Sequence, residues 1–186
     1  IPATGSVIVD GSKVKLGDPR QGMKAGIGYV PDDRKRDALL LTRNIRANMS
    51  LPWLPSGGFT RFGVLNRRKE MALTRDSVRR FSVRPPVTEF PIVYLSGGNQ
   101  QKVSVAKWIA AGVKLLIIDE PSVGIDIKTK AYLHDLIHEL AEQGTAVLLI
   151  TSDMPEMVDV ADRILVMDGY RIKGEVENDR NYDAVS

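Results

Sequence analysis

Residues 94–126 read YLSGGNQQKVSVAKWIAAGVKLLIIDEPSVGID, and their reading decides the fold. Leu95-Ser96-Gly97-Gly98-Asn99 opens a helix that continues through Val103, Ala106 and Ile109. Ser96 suits the N-cap, where a hydroxyl accepts from a free backbone amide, and the two glycines let a ligand approach the main chain. The unpaired N–H groups and positive dipole end of such a helix start favour an anion by about 0.3 to 2 kcal/mol, which makes this a candidate phosphate seat. Further on, Leu115-Leu116-Ile117-Ile118 is an all-apolar run of strand length ending in Asp119 and Glu120. That is the pattern of a buried parallel strand delivering charge at its carboxyl edge. Asp119 is suited to hold Mg²⁺ through an oxygen or a bound water. Glu120 is suited to orient or deprotonate an attacking water, a role worth about 10² to 10⁴ in rate. Taken singly, the first motif reads as a capped turn and the second as the polar end of a sheet strand. In succession, and followed by Pro121 and Gly124-Ile125-Asp126, they point to nucleotide chemistry.

These motifs resemble those of the ATP-binding-cassette (ABC) ATPases, in which LSGG[QN]Q is the signature, LLIIDEP is Walker B with its catalytic glutamate, and the Gly-x-Asp turn is the D-loop. The resemblance implies an α/β fold: a partial RecA-like core with a parallel sheet, a small antiparallel β part, and an inserted helical subdomain. It divides this one incomplete domain into residues 1–49 (β part and Q-loop region), 50–93 (helical subdomain) and 94–186 (signature, Walker B, D-loop and switch region). The run GYVPDDRKRDAL, residues 28–39, is similar to the second, degenerate cassette of two-cassette sugar-import ATPases. Two departures stand out. Asp32 takes the place of the usual Q-loop glutamine, and Ser152 that of the switch histidine, so a site completed by Ser152 is expected to be slow or inactive.

The site residues implied are Glu120 and Ser152 for catalysis, Ser96, Gly97, Gly98, Asn99 and Asp126 for the nucleotide, and Asp119 and Asp32 for the metal. Mg²⁺ and ATP are the implied cofactors. The implied partners are a second cassette, transmembrane permease subunits and, indirectly, a periplasmic sugar-binding protein, with no nucleic acid. The implied location is peripheral, on the cytoplasmic side of the inner membrane. In the family, ATP held by one cassette's Walker A loop is covered by the other's signature. No Gly-x-x-x-x-Gly-Lys-[Ser/Thr] occurs in the 186 residues, so Ser96, Gly97 and Gly98 are expected to cap a partner's ATP. Asp119 and Glu120 then belong to this chain's own half-site, and the chain by itself is expected to be inactive. The missing loop is expected to precede Ile1, lost or cut away. Two other readings compete: a non-transport ABC-type ATPase such as a DNA-maintenance head, which lacks support because no sustained heptads are present, and a non-hydrolysing regulatory cassette.

Composition agrees with one ordinary globular domain, at 43% hydrophobic and 26% charged residues with a net charge of +3. No run approaches the ~20 apolar residues of a membrane helix, and the absence of cysteine excludes a disulfide framework. Arg34, Lys35, Arg36 and the arginines from Arg61 to Arg84 concentrate positive charge in the first half. Without interleaved aromatics this run reads as a solvated face, or one near anionic headgroups, rather than a nucleic-acid patch.

Along the chain, Asp10-Gly11 predicts a hairpin within residues 6–17, and Asp18-Pro19 a short helix closed by Gly26. Ile27–Val30 reads as a core strand, Thr42–Met49 as a helix and residues 50–62 as a loop. Asn66–Phe81 reads as an amphipathic helix with Met71, Val78 and Phe81 inward. Pro85-Pro86 ends it, and Val87–Val93 connects to the signature. Ile127–Glu142 reads as a helix with Leu133, Ile137 and Leu140 inward, its His134 and His138 packing or facing solvent rather than binding metal. Thr145–Ile150 is a second apolar strand, followed by a short helix over Pro155–Val160, a strand pair over Ala161–Val176, and a polar, frayed end.

Overall fold

The computed structural model describes residues 5–15, 17–54, 60–61 and 64–178. The first element pair is a hairpin, β1 (Val7–Val9) and β2 (Ser12–Val14), paired antiparallel with Val7 opposite Val14. Its turn is built on Asp10 and Gly11, both with positive φ (49° and 73°), as the Asp-Gly signal requires. Helix α1 (Pro19–Lys24) follows, its Asp18 side chain accepting from the Arg20 amide at 3.0 Å.

The centre is a three-stranded parallel sheet of β3 (Ile27–Val30), β6 (Leu115–Asp119) and β7 (Ala146–Ile150), in the order β3-β6-β7. Tyr29 pairs with Ile117, and Asp119 with Ile150. Between β3 and β6 come a tight π-type turn (Arg34–Ala38), α2 (Ile45–Ser50), the short ladder β4 (Thr60–Arg61) and β5 (Val64–Leu65), α3 (Arg67–Arg80) and α4 (Gly97–Ala110). After β6 come α5 (Ile127–Glu142), then β7, α6 (Met154–Val160) and the antiparallel pair β8 (Arg163–Asp168) and β9 (Arg171–Glu177).

One face of the parallel sheet is core and the other is covered by no described element, so the strand read as buried, Leu115–Ile118, is fully buried only at alternate residues. Val30, Leu116 and Ile118 are fully buried beside Val103, Ala106, Leu133 and Ile137 of α4 and α5. On the opposite face Tyr29, Leu148 and Ile150 are each 46% exposed. The cause is visible in the side-chain period of two: the covered residues alternate with those no described element covers. Gly28 is closely packed, since a Cβ there would lie 3.1 Å from Trp108.

Three other expectations shift. The helix predicted over Thr42–Met49 begins instead at Ile45, because the Asn44 side chain caps it by accepting from the Ala47 amide at 2.9 Å. Part of the predicted 50–62 loop is ordered as a 3-10 turn (Leu51–Trp53) and strand β4, while residues 55–59 and 62–63 lie outside the described residues. The frayed end expected over 177–186 falls mostly outside them as well, though Glu177 belongs to β9.

Candidate functional site

The signature is positioned by its own caps. Ser96 accepts from the Asn99 amide at 3.4 Å and from Asn99 Nδ2 at 2.9 Å, while Asn99 Oδ1 accepts from the Arg84 amide at 2.8 Å. Gln100 Nε2 donates to the Ile92 carbonyl at 3.2 Å, holding the first turn of α4 to the segment before it. At both glycines a Cβ would force a neighbour to shift. A Cβ on Gly97 would meet Arg34 Nη2 at 2.7 Å and the Gly124 carbonyl at 3.0 Å, and one on Gly98 would meet Thr129 Oγ1 at 2.5 Å. The signature therefore abuts the turn after Walker B through glycines.

That turn is fixed from the other side by Asp126, the N-cap of α5. It accepts from the Thr129 amide at 3.0 Å and from the Thr129 hydroxyl at 2.8 Å. These two bonds hold its exposed carboxyl below the ordinary aspartate value.

Asp119 and Glu120 sit at the carboxyl edge of the central strand β6, flanked by β3 and β7. Asp119 Oδ2 accepts from the Tyr29 hydroxyl at 3.0 Å. Burial, then that hydrogen bond, then the negative charges of Asp119 and Asp32 push the Tyr29 hydroxyl up. Glu120 leaves the strand with φ 44°, its amide still donating to the Ile150 carbonyl at 2.8 Å. A non-glycine residue in this region is strained by about 1 to 3 kcal/mol, a cost that clusters at functional sites. Its carboxylate accepts from the Ser152 amide at 2.9 Å. Ser152 thus meets Glu120 through its main chain, while its side chain is at an exposed position.

A cleft of about 360 Å³ is lined by Glu120, Val123 and Gly124 on one side and Asp32, Asp33, Arg34 and Lys35 on the other. Asp32 lies there, one Oδ engaged by the Asp33 amide at 2.7 Å. Arg34 crosses the cleft, Nη1 donating to the Val123 carbonyl at 2.9 Å and Nη2 to the Gly124 carbonyl at 3.0 Å. Burial lowers its guanidinium from the ordinary value, with the Asp33 charge opposing.

The structure therefore brings Glu120, Ser152 and Asp119 together at one strand edge, and links them through Gly124 and Arg34 to Gly97. Among the described residues no cluster of three His, Cys, Asp or Glu is arranged for a metal. Mg²⁺ fits this donor set only as it usually binds nucleotides, through one or two carboxylates with the remaining donors from phosphate and water.

Arg34, Tyr29 and Glu156 were missed from the sequence. Arg34 is hidden in a charge run, and nothing local marks its reach. Glu156 is 1% exposed and gathers Thr151 Oγ1 at 2.7 Å, Ser122 Oγ at 3.3 Å and His134 Nε2 at 3.0 Å behind the site. His134 is thus the partner of a buried carboxylate, more than a packing or solvent-facing ring.

The family model for the ABC transporter matches residues 1–123. A ribose/galactose/methyl galactoside import ATP-binding protein of Agrobacterium fabrum is 43% identical over 89% of this chain and 33% of its own length. An arabinose import ATP-binding protein of Rhizobium meliloti is 42% identical over 93% of the chain and 34% of its length. The chain thus spans about a third of the curated relatives it matches. A dimeric ATP-binding cassette in a post-hydrolysis state with ADP and Pi superposes with TM-score 0.77 at 22% identity, over 95% of this chain and 74% of that one, which shows the fold. With the signature, the acid-tipped strand and the capped turn joined along one edge of a cassette fold, this chain belongs to the ABC transporter family.

Proposed function

We propose that the chain is the ATP-binding part of a carbohydrate importer, from the second cassette of a two-cassette protein, coupling ATP binding and hydrolysis to monosaccharide transport. The observation that carries the reading is the contact of Gly97 with the Gly124 turn, beside the cleft that holds Glu120. Identity of 38–44% to sugar-import proteins adds the substrate class. Ser96, Gly97, Gly98 and Asn99 cap the γ-phosphate of ATP held by a partner cassette, at the amide-rich start of α4. Asp119 and Asp32 face the chain's own half-site, where Mg²⁺ would supply charge neutralisation at the phosphates.

Glu120 is the base: the Ser152 amide holds one carboxylate oxygen, which fixes its orientation toward the cleft. Ser152 offers no imidazole, so this half turns over slowly. Asp126 braces the turn by capping α5. The partners are the second cassette and permease subunits, with a periplasmic binding protein acting through them. The location is peripheral at the cytoplasmic face of the inner membrane; no helix among the described residues is long and apolar enough to cross a membrane.

The test is uptake of a labelled pentose or hexose into proteoliposomes holding the full polypeptide and its permease. Uptake that needs Mg-ATP is expected, and ATP turnover stimulated by DNA without sugar uptake contradicts the reading. With the other site disabled, Glu120→Gln lowers single-turnover hydrolysis by about 10² to 10⁴.

A further inference from the structure

Arg34 stands apart from the other cations of its run. Lys35 and Arg36 are exposed, and their amides donate to Asp33 at 3.1 and 3.0 Å, which fixes the backbone of the turn. The Arg34 side chain is instead half-buried, and its Nε is buried with no hydrogen-bond partner. Desolvating a guanidinium is costly, and it is offset here by two charge-assisted bonds to successive carbonyls, Val123 and Gly124. The planar fork of arginine suits two adjacent acceptors, which a single ammonium does not. Gly97 has no side chain where Nη2 passes, and a Cβ there would be 2.7 Å away. Three segments distant in sequence therefore meet at one guanidinium: residues 32–38, the turn after Walker B, and the start of α4.

Resting on the nucleotide reading of the cleft, we propose that Arg34 is a positioning residue that locks the Val123–Gly124 turn against Gly97, so that Glu120, Asp126 and the signature hold one fixed geometry. It touches the two carbonyls rather than the reacting atoms, and so acts through the turn. Loss of one bond lets the turn pivot; loss of both leaves it held to the signature only by the packing of Gly97 and Gly98.

Hydrogen–deuterium exchange on the 186-residue chain tests the tie directly, with Arg34→Gln and Arg34→Lys compared with the wild type. Exchange at the Val123 and Asn99 amides, which donate to the Glu120 carbonyl and Ser96 Oγ, rises about 10-fold or more in Arg34→Gln, less in Arg34→Lys, while β6 and the far end of α5 keep wild-type protection. Unchanged exchange at Val123 in both variants overturns the proposal, as does a uniform rise across the whole chain.

In the full polypeptide, Arg34→Gln lowers kcat for ATP about 10-fold or more with KM within about two-fold, and Arg34→Lys recovers part of kcat, as a small misplacement of catalytic geometry predicts. A rise in KM with kcat preserved overturns the positioning role. A wild-type polypeptide without ATPase activity but with the same local exchange pattern sinks the nucleotide reading and leaves the tie established.

Discussion

Gly98 shows how much one residue type decides. A Cβ would fall 2.5 Å from Thr129 Oγ1 and 3.1 Å from Thr129 Cγ2, and Thr129 is held by its bonds to Asp126. Gly98→Ala is expected to lower stability by about 1 to 3 kcal/mol, as overpacking does. Gly22→Ala, with open space around it in α1, is expected to be neutral or mildly stabilising, since alanine is the better helix former. Thermal unfolding of the two variants checks the contrast, and equal melting temperatures contradict it. At this scale the sequence revealed the caps Ser96 and Asp18, while the capping roles of Asn66, read only as the start of a helix, and of Asp126, read as a nucleotide residue, came from the structure. Arg34 and Glu156 escaped because their partners lie 89 or 90 and 5 to 34 residues away. Side-chain reach across such separations has no local signature.

Among elements, α3 is the case where period and chemistry diverge. Val78 and Phe81 are buried as the 3.6-residue spacing predicts, yet Glu70, Thr74 and Ser77 are buried on α3 too. Glu70 accepts from Arg46 at 2.7 Å and from Ser50 Oγ at 2.8 Å, which joins α3 to α2. Apolar periodicity is blind to a buried ion pair. Glu70→Ala leaves Arg46, whose side chain is 14% exposed, with Glu89 as its one remaining carboxylate and removes the buried acceptor of Ser50 Oγ, and is expected to cost about 1 to 3 kcal/mol. Glu89→Ala removes the other carboxylate on Arg46, 51% exposed, and is expected to cost under about 1 kcal/mol. Urea unfolding of both variants reads the difference, and the reverse order would refute this account of the α2–α3 contact.

In the molecule as a whole, strand order and helix coverage join the segments, and α4 is the hub. Its Lys107 is 5% exposed and donates to the Ala38 carbonyl. Burial pushes its ammonium down to about 8 from 10.5. Between those values the unfolded chain binds a proton that the folded chain does not, so stability rises with pH across that window. Relative to Lys107→Met, the wild type is expected to gain about 3 kcal/mol between pH 7.5 and 10.5, read by urea unfolding. Parallel curves for the two proteins would show that the ammonium is as well solvated as in water.

At this scale the parallel β3-β6-β7 core and the final β8–β9 pair were legible from apolar runs and turn residues. The open sheet face was not, because an all-apolar strand reads the same whether one face is covered or two. The Asn44 start of α2 was obscured by the competing Thr42.

The central claim is that the signature and the acid-tipped strand serve a nucleotide shared with a second cassette. Sedimentation velocity of this chain mixed with a cassette that carries a phosphate loop, with and without Mg-ATP, tests it most directly. Mg-ATP is expected to tighten the pairing by about 10-fold or more, and Ser96→Arg, checked for folding by its melting temperature, is expected to abolish that gain by obstructing the anion seat at the start of α4. Pairing that ignores both Mg-ATP and Ser96→Arg, or micromolar binding of Mg-ATP by the chain alone, would contradict the account.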